Sequence, residues 1–217
     1  MTKLIIFDLD GTLIDTREDI ANACNYALEQ CGYPIHALDK YNMMVGRGID
    51  NLFRAALPAE SSTEENVARM RSVFVPYYNE HKCDFTKPYD GIIDALEELY
   101  AAGYKFAVAS NKYQEGTEQL VEKFFGKYGF VSILGQREGK PIKPDPMIVS
   151  EAMEGLPGVA LEEVVYCGDS DVDMQTGLGA GVRTIGVTWG FRTREELEAY
   201  KPYALIDHPR EIAANLL

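Results

Sequence analysis

The chain has 217 residues, 46% of them apolar and 25% charged, which is enough for a packed core without disulfide or metal staples. Its 34 acidic and 21 basic side chains leave a net charge of −13, and no run of Lys and Arg breaks that field. Repulsion argues against a nucleic-acid partner, and an anionic small molecule would need a site carrying its own positive charge.

In chain order, the opening Met1-Thr2-Lys3-Leu4-Ile5-Ile6-Phe7 meets Asp8 too soon to be a signal peptide. No apolar run approaches ~18 residues, so no membrane span is expected and the cytoplasm is the default location. Residues 3–8 read as a strand that is apolar on both faces, as in a buried parallel sheet. From about Thr16 to His81 no strand is convincing. Ile20, Cys24, Ala27, Leu28 and Cys31 recur at helical spacing, as do Val67, Met70, Val73, Phe74, Tyr77 and Tyr78. This stretch is too long for a simple crossover and reads as a helical insert over residues 16–83, with hinges near 15–17 and 84–88. Gly32-Tyr33-Pro34 and Gly46-Arg47-Gly48 are turns within it. Strand-like runs follow at 105–109, 131–134, 164–167, 184–187 and 204–206. Helical patterns lie between them at 91–102, 117–125, 146–154 and 174–179. The alternation predicts an α/β core of residues 1–15 and 84–217, a parallel sheet with helices on both faces. Cys24, Cys31, Cys83 and Cys167 form no C-x-x-C pair and are expected to be reduced.

Open parallel sheets bind ligands at the carboxyl ends of their strands. Asp8-Leu9-Asp10-Gly11-Thr12 follows the first strand and Ser110-Asn111 the second. Lys143-Pro144-Asp145-Pro146 precedes a helix, and Gly168-Asp169-Ser170-Asp171-Val172-Asp173 follows the fourth strand. One sheet edge would gather all four clusters. Two carboxylates ~4 Å apart repel by about 4 kcal/mol at an effective dielectric of ~20, so such a gathering needs protons or a cation. A set of oxygen ligands suits Mg²⁺, and Lys143 can add further positive charge.

These motifs, in this order and with a helical insert directly after the first, resemble the haloacid dehalogenase superfamily. The resemblance is to its phosphatases with an inserted helical cap. Leu13-Ile14-Asp15-Thr16, Val45-Gly46-Arg47-Gly48 and Pro88-Tyr89-Asp90-Gly91 are similar to phosphoglycolate phosphatases and their relatives. The resemblance implies a Rossmann-like core and a mechanism in which Asp8 attacks phosphorus. Asp10 would protonate the leaving alkoxide and later take a proton from water. Mg²⁺ would be held by Asp8, the Asp10 carbonyl oxygen and Asp169, with Asp173 holding a metal-bound water or orienting Lys143. Ser110 and the Asn111 amide would bind phosphate oxygens, and Lys143 would neutralise Asp8 and the phosphoryl group. The implied substrate is a small phosphate monoester.

Other residues admit plainer readings. Asp15 is expected to cap the first insert helix, and Asp171 to be a solvated or capping acid. Arg47, between two glycines, is a candidate to meet a substrate carboxylate or second phosphate. Lys112 reads as exposed, with a substrate contact as the alternative. Gly177, Gly179 and Gly181 follow a helix rather than a strand, so they mark a helix stop and not a dinucleotide site. Trp189-Gly190 would line the cleft or pack, and His36, His81 and His208 suggest no metal site. Three neighbouring reactions compete. A 2-haloacid dehalogenase would have no use for Asp10 or a metal. A phosphonatase needs a cap lysine, for which Lys40 is a candidate, and a phosphosugar mutase would keep the same aspartate pair. A receiver-like module without turnover is the rival from another class, although Asp10 opposes it. Oligomeric state is not legible.

Overall fold

A computed structural model describes residues 2–216. In chain order the elements are β1 (Leu4–Phe7), β2 (Ile14–Asp15), α1 (Arg17–Cys31), α2 (Tyr41–Met44), α3 (Ile49–Ala56), α4 (Glu64–His81) and β3 (Lys87–Pro88). Then come α5 (Ile92–Ala101), β4 (Lys105–Tyr113), α6 (Gln114–Phe125), β5 (Ser132–Gln136) and α7 (Met147–Glu154). The chain closes with β6 (Val164–Gly168), α8 (Asp171–Gly179), β7 (Arg183–Val187), α9 (Arg194–Glu198), β8 (Ala204–Ile206) and α10 (Glu211–Ala214).

Six strands pair in the order β5-β4-β1-β6-β7-β8, and every neighbouring pair is parallel. The alternation of a strand's side chains explains why β1 is apolar throughout. Ile5 and Phe7 pack into one core with α5 and α6, while Leu4 and Ile6 pack into a second core with α7 on the opposite face. β6 divides in the same way, Val165 and Cys167 to the first core and Val164 and Tyr166 to the second. This is the α/β Rossmann-like arrangement expected from the alternating runs.

The stretch between β2 and β3 is helical. α1 lays Ile20, Cys24, Ala27, Leu28 and Cys31 against α4, whose Val67, Met70, Phe74 and Tyr78 are buried in the same cluster. Thr63 caps α4 by accepting from the Asn66 amide at 3.3 Å, and Gly32 ends α1 in the left-handed region. At the root of this helical unit the chain makes a small antiparallel ribbon, Ile14 opposite Pro88 and Asp15 opposite Lys87. The N-cap position of α1 is Thr16 rather than Asp15; Asp15, one residue earlier at the end of β2, accepts from Arg17 N at 3.2 Å.

Several elements run past their expected limits, among them α6, which begins at Gln114 rather than Thr117, and β5, which ends at Gln136 rather than Leu134. β4 continues to Tyr113, but its register with β5 slips between Ala109 and Tyr113, so Ser110, Asn111 and Lys112 occupy an irregular stretch. α8 starts at Asp171 rather than near Met174 because Ser170 and Asp173 form a reciprocal cap. All four cysteines are free. Among the described residues no helix is long and apolar enough to cross a membrane.

Candidate active site

β1 and β6 are neighbours in register, so Asp8 and Asp169 leave the same sheet edge side by side. The cap of α8 then aims Asp173 back at them. Each of Asp8, Asp169 and Asp173 offers an oxygen within 4.8 Å of the others, and all three side chains are buried. Lys143 enters from the loop before α7. Its ammonium lies 2.9 Å from Asp8 Oδ1 and 2.7 Å from Asp173 Oδ1, and donates to Tyr166 Oη at 3.1 Å.

Asp173 is saturated. Oδ1 accepts from Lys143 and from Tyr166 Oη at 3.0 Å, while Oδ2 accepts from Ser170 N at 3.0 Å and Ser170 Oγ at 2.6 Å. A carboxylate has about four lone-pair sites, so Asp173 has none to spare. Its visible work is to hold Lys143. Asp169 is less committed, accepting from Thr12 Oγ1 at 3.0 Å and from Phe191 N at 2.8 Å. Asp8 Oδ1 also accepts from Leu9 N at 2.7 Å, and no protein hydrogen bond reaches its Oδ2 among the described residues. Gly11 (φ +89°) and Gly190 both abut the Asp169 carboxylate, where a Cβ on either would overlap it.

Three buried carboxylates therefore face one ammonium. Burial first, and then the charge of Asp173, push the Asp8 carboxyl well above its usual range. The same two causes raise Asp169 to about 7. Burial alone would lower Lys143, but the charges of Asp173 and Asp8 outweigh it and hold it above its ordinary value. Uncompensated negative charge in an all-oxygen cluster is the condition a hard divalent cation relieves. Asp8 and Asp169 are the side chains with lone pairs left to hold one. The Asp10 side chain does not join them; it turns toward Lys112, whose Nζ is 3.1 and 3.2 Å from its two oxygens.

The expected phosphate-binding pair sits at the β4 irregularity. Ser110 is buried and its Oγ accepts from Lys112 N at 3.2 Å. The Asn111 side chain is occupied as a clamp, donating to Gly46 O and Lys143 O at 3.0 and 3.1 Å and accepting from Lys143 N at 2.8 Å. Arg47, the candidate to meet a substrate carboxylate or second phosphate, pairs with Asp171 at half exposure and does not line the cavity. Asp171 is in turn not a solvated acid, because Arg192 Nε also lies 3.5 Å from it. Lys112 is not exposed; its side chain is 5% accessible and its ammonium is 4.7 Å from the Tyr78 ring centre.

Sequence reading missed Arg192 and Tyr166. Arg192 is buried and donates to the carbonyls of Asn42 and Val45 in the helical insert, the second at 3.2 Å. Its only sequence signal is its place three residues after Trp189, which itself donates to Thr12 O at 3.0 Å. Above Asp8, Asp10 and Ser110 lies a cavity of about 50 Å³, roofed by Ile20, Val45, Ile49, Leu52, Phe74 and Tyr78.

Residues 5–187 match the family model described as haloacid dehalogenase-like hydrolase. The chain belongs to this family. A phosphoglycolate phosphatase from Vibrio parahaemolyticus is 32% identical over 216 residues, covering 97% of this chain and 94% of that protein. Another from Aquifex aeolicus is 34% identical over 189 residues, covering 87% and 86%. A crystal structure from Lactobacillus delbrueckii subsp. bulgaricus superposes with a TM-score of 0.92 at 33% identity, covering 100% of this chain and 99% of that one. Family and relatives together identify this haloacid dehalogenase-like hydrolase as a phosphoric monoester hydrolase.

Proposed function

We propose that this enzyme is a Mg²⁺-dependent phosphatase of small organic phosphate monoesters that works through an aspartyl phosphate on Asp8. The observation that carries the reading is the convergence of Asp8, Asp169 and Asp173 around Lys143 at the carboxyl edge of the sheet, opening into a cavity that also holds Asp10. In this reading residues 1–15 and 84–217 are the catalytic core and 16–83 a cap that shelters the reaction from water. The four free cysteines support a cytoplasmic location.

The unoccupied lone pairs of Asp8 Oδ2 make it the attacking atom. It forms a bond to phosphorus as the ester P–O bond breaks, and Asp10 delivers a proton to the departing alkoxide. Water then attacks the aspartyl phosphate while Asp10 takes its proton, which releases phosphate and restores Asp8. Lys143, fixed by Asp173 and Tyr166, stays beside Asp8 and balances charge on the phosphoryl oxygens. Ser110 Oγ and the Asn111 backbone amide would receive those oxygens. Asp8 and Asp169, with the Asp10 carbonyl oxygen, would hold a divalent cation, which when bound would supply charge neutralisation for the phosphoryl group. Phosphoglycolate, the substrate in the names of the relatives, is one member of this substrate class.

The test is Asp8→Asn, nearly isosteric. With Mg²⁺ and p-nitrophenyl phosphate, turnover is expected to fall by roughly 10³-fold or more at unchanged thermal stability. EDTA is expected to abolish wild-type activity and added Mg²⁺ to restore it. A folded Asp8→Asn variant turning over within tenfold of wild type would sink the nucleophile assignment.

A further inference from the structure

Residues 189–192, between β7 and α9, touch both the acidic cluster and the helical insert. Trp189 Nε1 donates to Thr12 O at 3.0 Å, and Gly190 abuts the Asp169 carboxylate. Phe191 N donates to Asp169 Oδ2 at 2.8 Å, while the Phe191 ring is buried in the core of the insert with Ile20, Val45, Ile49 and Phe74. The buried Arg192 guanidinium donates to Asn42 O and, at 3.2 Å, to Val45 O. These carbonyls lie at the end of α2, whose single turn leaves them without helical partners. Arg192 Nε also lies 3.5 Å from Asp171, which holds Arg47 of the insert and opens α8, the helix that aims Asp173.

The insert roofs the cavity, so it must lift to admit a substrate and seat again before reaction. Lifting takes both carbonyls from Arg192 and the apolar pocket from Phe191. The loop that carries the Phe191 amide to Asp169 is then held at one end only. We propose that Arg192 is a positioning residue: with the insert seated, it and Phe191 hold the loop that fixes Asp169, so a divalent cation binds the seated form more tightly. Linkage makes the effect reciprocal, and the cation favours the seated insert. The proposal rests on the cation reading above and deepens it by joining cation affinity to the position of the insert.

The test titrates substrate-free protein with Mg²⁺ by calorimetry, with the fluorescence of Trp189, the only tryptophan of the chain, as reporter of the loop. Arg192→Gln is expected to weaken Mg²⁺ binding by about tenfold, and Arg192→Lys, which keeps the charge but not the fork, by less. Asn79→Ala is the control. It removes the 2.6 Å bond from Tyr113 Oη, another tie between insert and sheet domain, and leaves the loop alone. Its Mg²⁺ affinity is expected to match wild type, and a fall like that of Arg192→Gln would overturn the loop as the route. Hydrogen exchange gives the reciprocal reading: Mg²⁺ should slow exchange over residues 41–49 by a larger factor in wild type than in Arg192→Gln. If Arg192 merely fastens the insert, Arg192→Gln lowers the melting temperature and keeps wild-type Mg²⁺ affinity, which overturns the proposal. Should Arg192→Gln not fold, Phe191→Leu decides by the same titration. It keeps the amide donor to Asp169 and shrinks the ring, and unchanged affinity there overturns the proposal. Wild-type protein that fails to bind Mg²⁺ removes the cation reading and the proposal with it, whereas equal affinities in wild type and variants remove the proposal alone.

Discussion

At the scale of single residues, Asp173 and Asp169 show how identical side chains are set to different tasks by their surroundings. Four hydrogen bonds exhaust Asp173 and tie it to Lys143, Tyr166 and Ser170. Asp169 accepts two and keeps capacity for a cation. Its position depends on two glycines that leave no room for a side chain. Gly190 is the sharper probe, since its backbone, unlike that of Gly11, is not in the left-handed region, and a Cβ there would overlap both the Asp169 side chain and the Gly11 carbonyl oxygen. Gly190→Ala is expected to weaken Mg²⁺ binding by about 10- to 100-fold, read by activity against Mg²⁺ concentration, while costing about 1–3 kcal/mol of stability by overpacking. Unchanged Mg²⁺ dependence would show that Asp169 can move without consequence. Asp8, Asp10, Ser110, Asn111, Lys143, Asp169 and Asp173 were legible because they lie at the ends of apolar runs or just ahead of a helix, where a parallel sheet exposes its edge. Lys112 was not, since its burial depends on Asp10, 102 residues away, and on the Tyr78 ring. Tyr166 was hidden inside an apolar strand, where a tyrosine reads as core.

At the scale of elements, a buried carboxylate ties together the two connections between the helical insert and the sheet domain. Asp19, in the first turn of α1, accepts from Phe85 N at 3.1 Å, Thr86 N at 2.8 Å and Thr86 Oγ1 at 2.7 Å. The two connections to the insert are thereby fastened to each other just outside the β2–β3 ribbon. Asp19→Ala removes a charged acceptor and leaves buried donors unpaired, so it is expected to cost about 3 kcal/mol in urea unfolding. KM is also expected to rise as the roof of the cavity loses its fixed angle. An unchanged urea midpoint would mean that water replaces the carboxylate fully. The strands and helices themselves were legible from period and apolarity: β1, β4, β6, β7 and β8 lie where the runs placed them. The ribbon was not, because two residues per strand carry no periodicity. The end of β4 was missed for a related reason. Ser110 to Lys112 are polar and break the ladder with β5, so an apolar run stops at Ala109 while the extended backbone continues.

At the scale of the whole molecule, the net charge of −13 and the acidic cluster together tie stability to cation and pH. Burial and the charge of Asp173 raise Asp169 to about 7, above the value of an unfolded carboxyl. The sign follows from linkage. The folded state holds this proton more tightly than the unfolded chain, so the group's contribution favours folding in acid and is lost as pH rises through about 7. A cation that takes the proton's place removes the penalty, and it competes with the proton for the same oxygens. Metal-free protein is therefore expected to melt at lower temperature at pH 8 than at pH 5.5, and saturating Mg²⁺ to raise the melting temperature more at pH 8. General charge repulsion pushes in the same direction, so the comparison needs Asp169→Asn as its control. That variant keeps the background acidity but has no carboxyl to titrate, and the pH-dependent part of its Mg²⁺ shift should largely vanish. Wild-type protein stabilised equally by Mg²⁺ at both pH values would show that the cluster does not carry its excess charge into the folded state as these distances require.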